Sequence, residues 1–211
     1  MAGHFEATPG GGAAVALDEV EISILRSLAV QLLELIGPGD QPADGEDPLA
    51  VLFAEGPSKP PADPALARLF PDAYGGPAGP EGSEGSTGAV KPEEEQELLE
   101  RSAEFRRFTE VDLRSGKRDD ALAVVRTLDA LSAAPDGGAV LTLTGDECLS
   151  WLRSLNDLRL TIGTRLEVSD EDQGEEGSLY RLPDTDPRKP MVMAYLWLGA
   201  LQESLVETLM P

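Results

Sequence analysis

Apolar residues recur at helical spacing along most of this chain. Leu25, Leu28, Leu32 and Leu35/Ile36 follow Asp18 and stop at Gly37, which predicts a helix over 18–36 with an aspartate cap and a glycine end. A glutamate-rich run from Pro92 opens a second helix over about 93–114. Its acids sit at the positive end of the helix dipole and its arginines come later. Ser115-Gly116 is expected to break it, and Ala121, Val124/Val125, Leu128 and Leu131 predict a third helix over about 118–133. A fourth starts at Gly145-Asp146, with Leu149, Leu152, Leu155, Leu158 and Ile162 as its inner face. Pro190 leads into a final helix carrying Met191, Tyr195, Leu198, Leu201, Leu205 and Leu209. Two short helices are expected after Asp47 and Asp63, over Pro48 to Ala54 and Pro64 to Phe70.

A period of two appears only briefly. Leu141 and Leu143 alternate with Thr142 and Thr144, a half-buried strand. The run Ala14 to Leu28 (AVALDEVEISILRSL) resembles Val140 to Leu155 (VLTLTGDECLSWLRSL), with Leu-Arg-Ser-Leu in both. Each reads as strand, turn and helix, and the two strands are expected side by side. Phe5-Glu6-Ala7 adds a third through a hairpin turn at Pro9 to Gly12. The expected fold is therefore mainly α: about five long helices with a small antiparallel sheet of three short strands.

Composition changes the picture between Gly37 and Pro92, where 21 of 56 residues are glycine or proline. Such a stretch buries too little apolar surface to offset the entropy of ordering it. The expected organisation is an N-terminal hairpin and helix over 1–36 that joins the core, a Gly/Pro-rich acidic insertion over 37–92 that is mobile at 73–91, and a helical core over 93–211.

Charge and residue counts exclude several functions. The 211 residues carry 39 acids and 17 bases, a net charge of -22. No third of the chain is basic, which argues against a general nucleic-acid or anionic-membrane binder. One histidine (His4) and one cysteine (Cys148) build neither a Cys/His zinc site nor an intrachain disulfide. A catalytic triad would have to recruit His4, beside the amino terminus. The longest apolar run, Met191 to Leu201, is too short for a bilayer. The start, MAGHFEATPGGG, has no basic region and no apolar core, so a cytoplasmic protein is expected. No phosphate-binding glycine motif occurs, and no cofactor or catalytic constellation is expected. The acidic stretch Ser169 to Gly177 lacks the glycine and glutamate of a calcium loop and reads as a solvated loop.

Three candidates remain. Arg101, Arg106, Arg107, Arg114, Lys117 and Arg118 stand with only Glu104, Glu110 and Asp112, a local charge of +3. They suit phosphate or an acidic partner. They also suit self-pairing, since Glu97–Arg101, Arg106–Glu110 and Glu110–Arg114 are spaced i,i+4. The second candidate is a polar interruption of the fourth helix: Asn156, Asp157, Arg159, Thr164 and Arg165, with Gly163. It reads as a buried hydrogen-bond network fixing helix packing, or as a ligand pocket. Gly163 costs roughly 1 kcal/mol in a helix interior, which calls for close approach of another helix. The third is Cys148. It lies near a helix amino terminus, which favours thiolate, but beside Asp146 and Glu147, which oppose it. Its i, i+4, i+7 spacing with Leu152 and Leu155 places the sulfur on the leucine stripe.

The runs LERSAEFRRFTEVDLRSGKRDDALAVVRTLDAL, LTGDECLSWLRSLNDLRLTIGTRLEV and YLWLGALQESLVETL resemble an actinobacterial domain-of-unknown-function family. Asn156 to Leu166 is the most specific part. The resemblance implies a gene beside that of the ClpS proteolytic adaptor and a role as an oxidative-stress-responsive transcription regulator sensing through a Cys-x-x-x-Cys pair. Here Cys148 has Thr144 four residues before it and Leu152 four after. The expected function is a non-enzymatic regulator acting mainly through protein contacts, with the transcription machinery or Clp components as partner and little direct DNA binding. The alternative is an adaptor in Clp proteolysis.

Overall fold

The computed structural model describes residues 3–38, 56–74, 92–132, 138–168 and 181–210. The expected short helix at 48–54, residues 75–91 of the expected mobile segment and the acidic loop expected from Ser169 lie outside them. The described residues form a mainly α protein with five helices and one three-stranded antiparallel sheet. In chain order these are β1 (Glu6–Ala7), β2 (Ala13–Leu17), α1 (Glu19–Ile36), α2 (Pro64–Leu69), α3 (Pro92–Asp129), β3 (Ala139–Leu143), α4 (Gly145–Arg165) and α5 (Lys189–Leu209). The chain divides into two compact units, Met1–Gly37 with Lys117–Pro211 and, separately, Pro38–Gly116.

In the first unit β2 is the central strand, paired antiparallel to β1 and to β3. Val15 stands opposite Leu141, and Leu17 opposite Ala139. Both long strands alternate buried and exposed residues, so one face of the sheet is core. Each then feeds a helix through the same device. The Asp18 carboxylate accepts from the Glu21 N–H at 2.8 Å, and the Asp18 N–H donates back to the Glu21 carboxylate at 2.9 Å. Thr144 and Glu147 repeat this capping box at the start of α4. Gly37 ends α1 with φ +87°, a left-handed value that glycine adopts without Cβ strain. The Arg118 guanidinium donates to the carbonyls of Leu33 and Gly37 at this helix end.

Helix α4 buries Cys148, Trp151, Leu155, Leu158 and Ile162, and packs against α5 through Val192, Tyr195, Leu198, Leu201 and Leu205. The expected stripes need correction at their amino ends. Leu149 is exposed and Trp151 takes its place inside, while Met191 is exposed and Val192 faces inward. A leucine-rich helix offers two stripes one residue apart that merge at Leu155, and the packing of Trp151 against Thr127 and Phe5 selects the one through Trp151. The Trp151 indole N–H donates to the Thr127 hydroxyl at 2.9 Å, and Phe5 meets its ring edge-on at 6.1 Å. The short edge strand is tied down by α5: the Phe5 N–H donates to the Ser204 hydroxyl, and the Thr208 hydroxyl donates to the Phe5 carbonyl.

The break expected at Ser115-Gly116 does not occur. Helix α3 runs unbroken from Pro92 to Asp129, so the two helices expected over 93–133 are one. Neither serine nor glycine removes a backbone donor, and each costs at most about 1 kcal/mol in a helix interior, far less than proline. A Cβ added at Gly116 would meet nothing within 4 Å. Gly116→Ala should therefore stabilise the protein by roughly 0.5–1 kcal/mol in urea unfolding. No gain, or a loss, would show that the helix needs glycine there.

Candidate functional site

In the Pro38–Gly116 unit, the first part of α3 turns polar residues inward. Ser102, Arg106 and Glu110, four residues apart, are all buried. The Ser102 hydroxyl donates to the Tyr74 carbonyl at 2.6 Å and accepts from the Tyr74 N–H at 2.8 Å. Arg106 donates to the Phe70 carbonyl, to Asp72 at 2.8 Å and to Glu110 at 2.5 Å. Glu110 accepts from Arg114 as well, at 2.6 Å, and the Arg114 guanidinium lies over the Phe70 ring at 4.5 Å. Burial by itself disfavours the Arg106 charge, but the hydrogen bonds it donates to Asp72 and Glu110 outweigh that and its pKa is raised. The network therefore fixes the segment after α2 against α3.

Of the basic residues singled out in the sequence, the structure brings Arg106 and Arg114 together on Glu110, while Arg101 stays exposed and Arg107 half-buried. Within the other unit, Lys117 donates to Asp157 at 2.6 Å and Arg118 caps α1. A feature without counterpart in the sequence reading lies on the outer face of α3. Phe108 is 70% and Phe105 46% exposed, and with Tyr74, Arg101 and Glu104 they line a shallow groove of about 350 Å³. The signal for it was present, two phenylalanines three residues apart with charged neighbours, but periodicity alone does not say which face a helix buries.

The polar residues of α4 point to different places. Asp157 is buried against Lys117, and Arg159 lies over the Tyr195 ring at 5.4 Å and donates to Gln202 at 2.7 Å. Thr164 donates to the Leu160 carbonyl of its own helix, while Asn156 and Arg165 are exposed. The five are not one network. Gly163 has a role in the packing: a Cβ there would stand 3.2 Å from the Tyr195 ring, and one at Gly199 of α5 would touch Arg159 at 3.5 Å. Each glycine thus receives the large side chain of the facing helix.

Cys148 is fully buried, and burial pushes its thiol up, away from thiolate. Among the described residues no group of three or more His, Cys, Asp or Glu side chains could hold a metal ion. None of their helices is long and apolar enough to cross a membrane.

Two outcomes follow from the buried charges. Glu110→Ala leaves Arg106 buried without its closest counter-charge and should cost about 3 kcal/mol, measured by urea unfolding. A loss below about 1 kcal/mol would mean that the pair is solvated. Burial pushes the Asp157 carboxyl up, with Lys117 pulling it part of the way back. A carboxyl raised in the folded state favours folding when protonated, and that contribution is lost as pH rises through the folded value. Asp157→Asn removes it, so the variant's stability relative to the parent should rise with pH between the unfolded carboxylate value and the raised folded one. Parallel pH–stability curves would refute the assignment.

The sequence matches the family described as Domain of unknown function (DUF2017) over residues 2–209. It is 30% identical over 191 residues to the oxidative stress regulator AosR of Mycobacterium tuberculosis and to that of Mycobacterium bovis, spanning 90% of this chain and 78% of theirs. The putative oxidative stress regulator AosR of Mycobacterium leprae is 30% identical over 192 residues, 90% of this chain and 79% of that protein. No solved structure matches. The length of the match and these relatives agree: the chain belongs to the DUF2017 family.

Proposed function

We propose that this chain is a non-enzymatic regulatory protein linked to oxidative stress, as the names of its relatives indicate for them, and that it acts through contacts with other proteins. The observation that carries the mechanism is how the basic residues are used. Arg106, Arg114, Lys117 and Arg118 are engaged within the chain. Little positive charge is left to neutralise phosphates in a protein of net charge -22. Sensing by a thiol pair does not fit, because the lone Cys148 is buried and its thiol form is favoured. The transcription machinery is the partner this reading favours. The ClpS neighbourhood implied by the family resemblance supplies the competing partner, the Clp protease.

The test is co-purification from actinobacterial lysate with the tagged chain, alongside anisotropy titration of duplex DNA at physiological salt. RNA polymerase or a sigma factor should come through, without tight DNA binding. Clp subunits in their place would move the function to proteolysis, and tight sequence-selective DNA binding would move it to direct readout. On the redox side, mild peroxide or diamide should leave intact mass and non-reducing gel mobility unchanged in the parent and in Cys148→Ser. A Cys148-dependent dimer or adduct that alters partner binding would restore a sensor role.

A further inference from the structure

The outer face of α3 carries a second pattern, independent of any regulatory role. Leu98, Arg101, Phe105, Phe108, Asp112 and Ser115 follow one another at steps of three and four residues, the spacing of a helix–helix seam. All but the half-buried Leu98 are exposed. The stripe is self-complementary when reversed. An antiparallel copy centred between Phe105 and Phe108 sets Phe105 against Phe108 of that copy, Arg101 against its Asp112, and Leu98 against its Ser115. Every charge on the stripe thereby meets its opposite, and each aromatic meets an aromatic. We propose that this face of α3 is a homodimer interface, in which two copies of the chain pair their α3 helices antiparallel about a two-fold axis.

Three observations favour a second copy over another occupant. An acidic partner helix would suit Arg101 but be repelled by Asp112, and a basic one would meet the reverse. Residues 98–115 hold four arginines and four acids, so this stretch is neutral within a chain of net charge -22. Two such acidic chains meet least repulsion there. The aromatic platform is also held in place beforehand. Tyr74, fixed by Ser102, packs edge-on against Phe105 at 6.3 Å. The groove beside them is lined by Tyr74, Arg101, Glu104, Phe105 and Phe108, and it receives Phe108 of the second copy. Beneath it, the Arg106–Glu110 pair keeps the helix from rolling its phenylalanines inward.

Sedimentation velocity of the full chain, from low to high micromolar at physiological salt, tests the interface. A monomer–dimer equilibrium in the micromolar range is expected for a contact made through a single helix face. Arg101→Asp and Asp112→Arg should each weaken it about tenfold or more, because each sets like charges face to face. The two together should restore it to within a few-fold of the parent, since only an antiparallel register sets 101 against 112. Phe108→Asp should abolish it and Phe108→Ala should weaken it, with far-UV dichroism checking that each variant folds. If a charge variant fails to fold, the double swap and Phe108→Ala decide. A chain monomeric at every concentration overturns the proposal. So does a dimer insensitive to Phe108→Asp, or a double swap that folds and stays as weak as the singles.

Discussion

The unit built from the chain ends depends on two capping boxes. Asp18 and Thr144 each close a strand and open a helix, and each is answered by a glutamate three residues on. A cap does more than satisfy orphan backbone donors. It fixes where the helix that follows begins relative to its strand. Because β2 and β3 run antiparallel, the two strand–cap–helix units leave the sheet in opposite directions. The shared capping geometry aligns Leu25 with Trp151, one position away from what the Leu-Arg-Ser-Leu repeat suggests. Both residues are fully buried. Their arginines serve the same end, Arg26 bonding to Asp129 and Arg153 pairing with Asp120, both on α3. The Glu147 carboxyl is held below its ordinary range by the Thr144 N–H it accepts, which keeps the cap charged.

The first part of α3 works by the opposite rule. Its buried face holds Ser102, Arg106 and Glu110, and its exposed face holds Phe105 and Phe108. Burying an ion pair adds little net stability, but leaving either member without the other is costly. The pair therefore acts mainly as a constraint. With Arg106 bonded to Phe70, Asp72 and Glu110, the helix cannot rotate to hide its aromatics without stranding a charge. Exposure of the phenylalanines follows from where the charges are satisfied, and a surface made this way suits recognition better than storage of apolar area.

In the proposed regulatory reading, Cys148 is a core residue. Its sulfur is buried beside the β2 backbone, and the helix-start acids Asp146 and Glu147 accompany it in sequence. A regulator built this way depends on another molecule to bring it the oxidative signal, which gives protein contact surfaces more weight than side-chain chemistry.

The sequence by itself determined the fold class, a strand ahead of Asp18 and another through Leu141 and Leu143, and the helices expected from Asp18, after Asp63 and from Gly145-Asp146. These rest on local rules, since caps, turns and periodicity act within a few residues of chain. Burial of Cys148 was legible for the same reason, being written in the leucine spacing. What only tertiary structure decided were choices between locally equivalent options. Ser115-Gly116 reads equally as a break or as two weak positions in a long helix, and the fold made it the latter. Leu149 and Trp151 compete for the inner face of α4, and the Thr127 hydroxyl waiting for an indole N–H suits the tryptophan. Arg106, Lys117 and Arg118 look alike in sequence, but long-range partners send them to Asp72, Asp157 and the end of α1. Such partners lie tens of residues away, where no local pattern reaches, and they set which charges are consumed and which faces remain open.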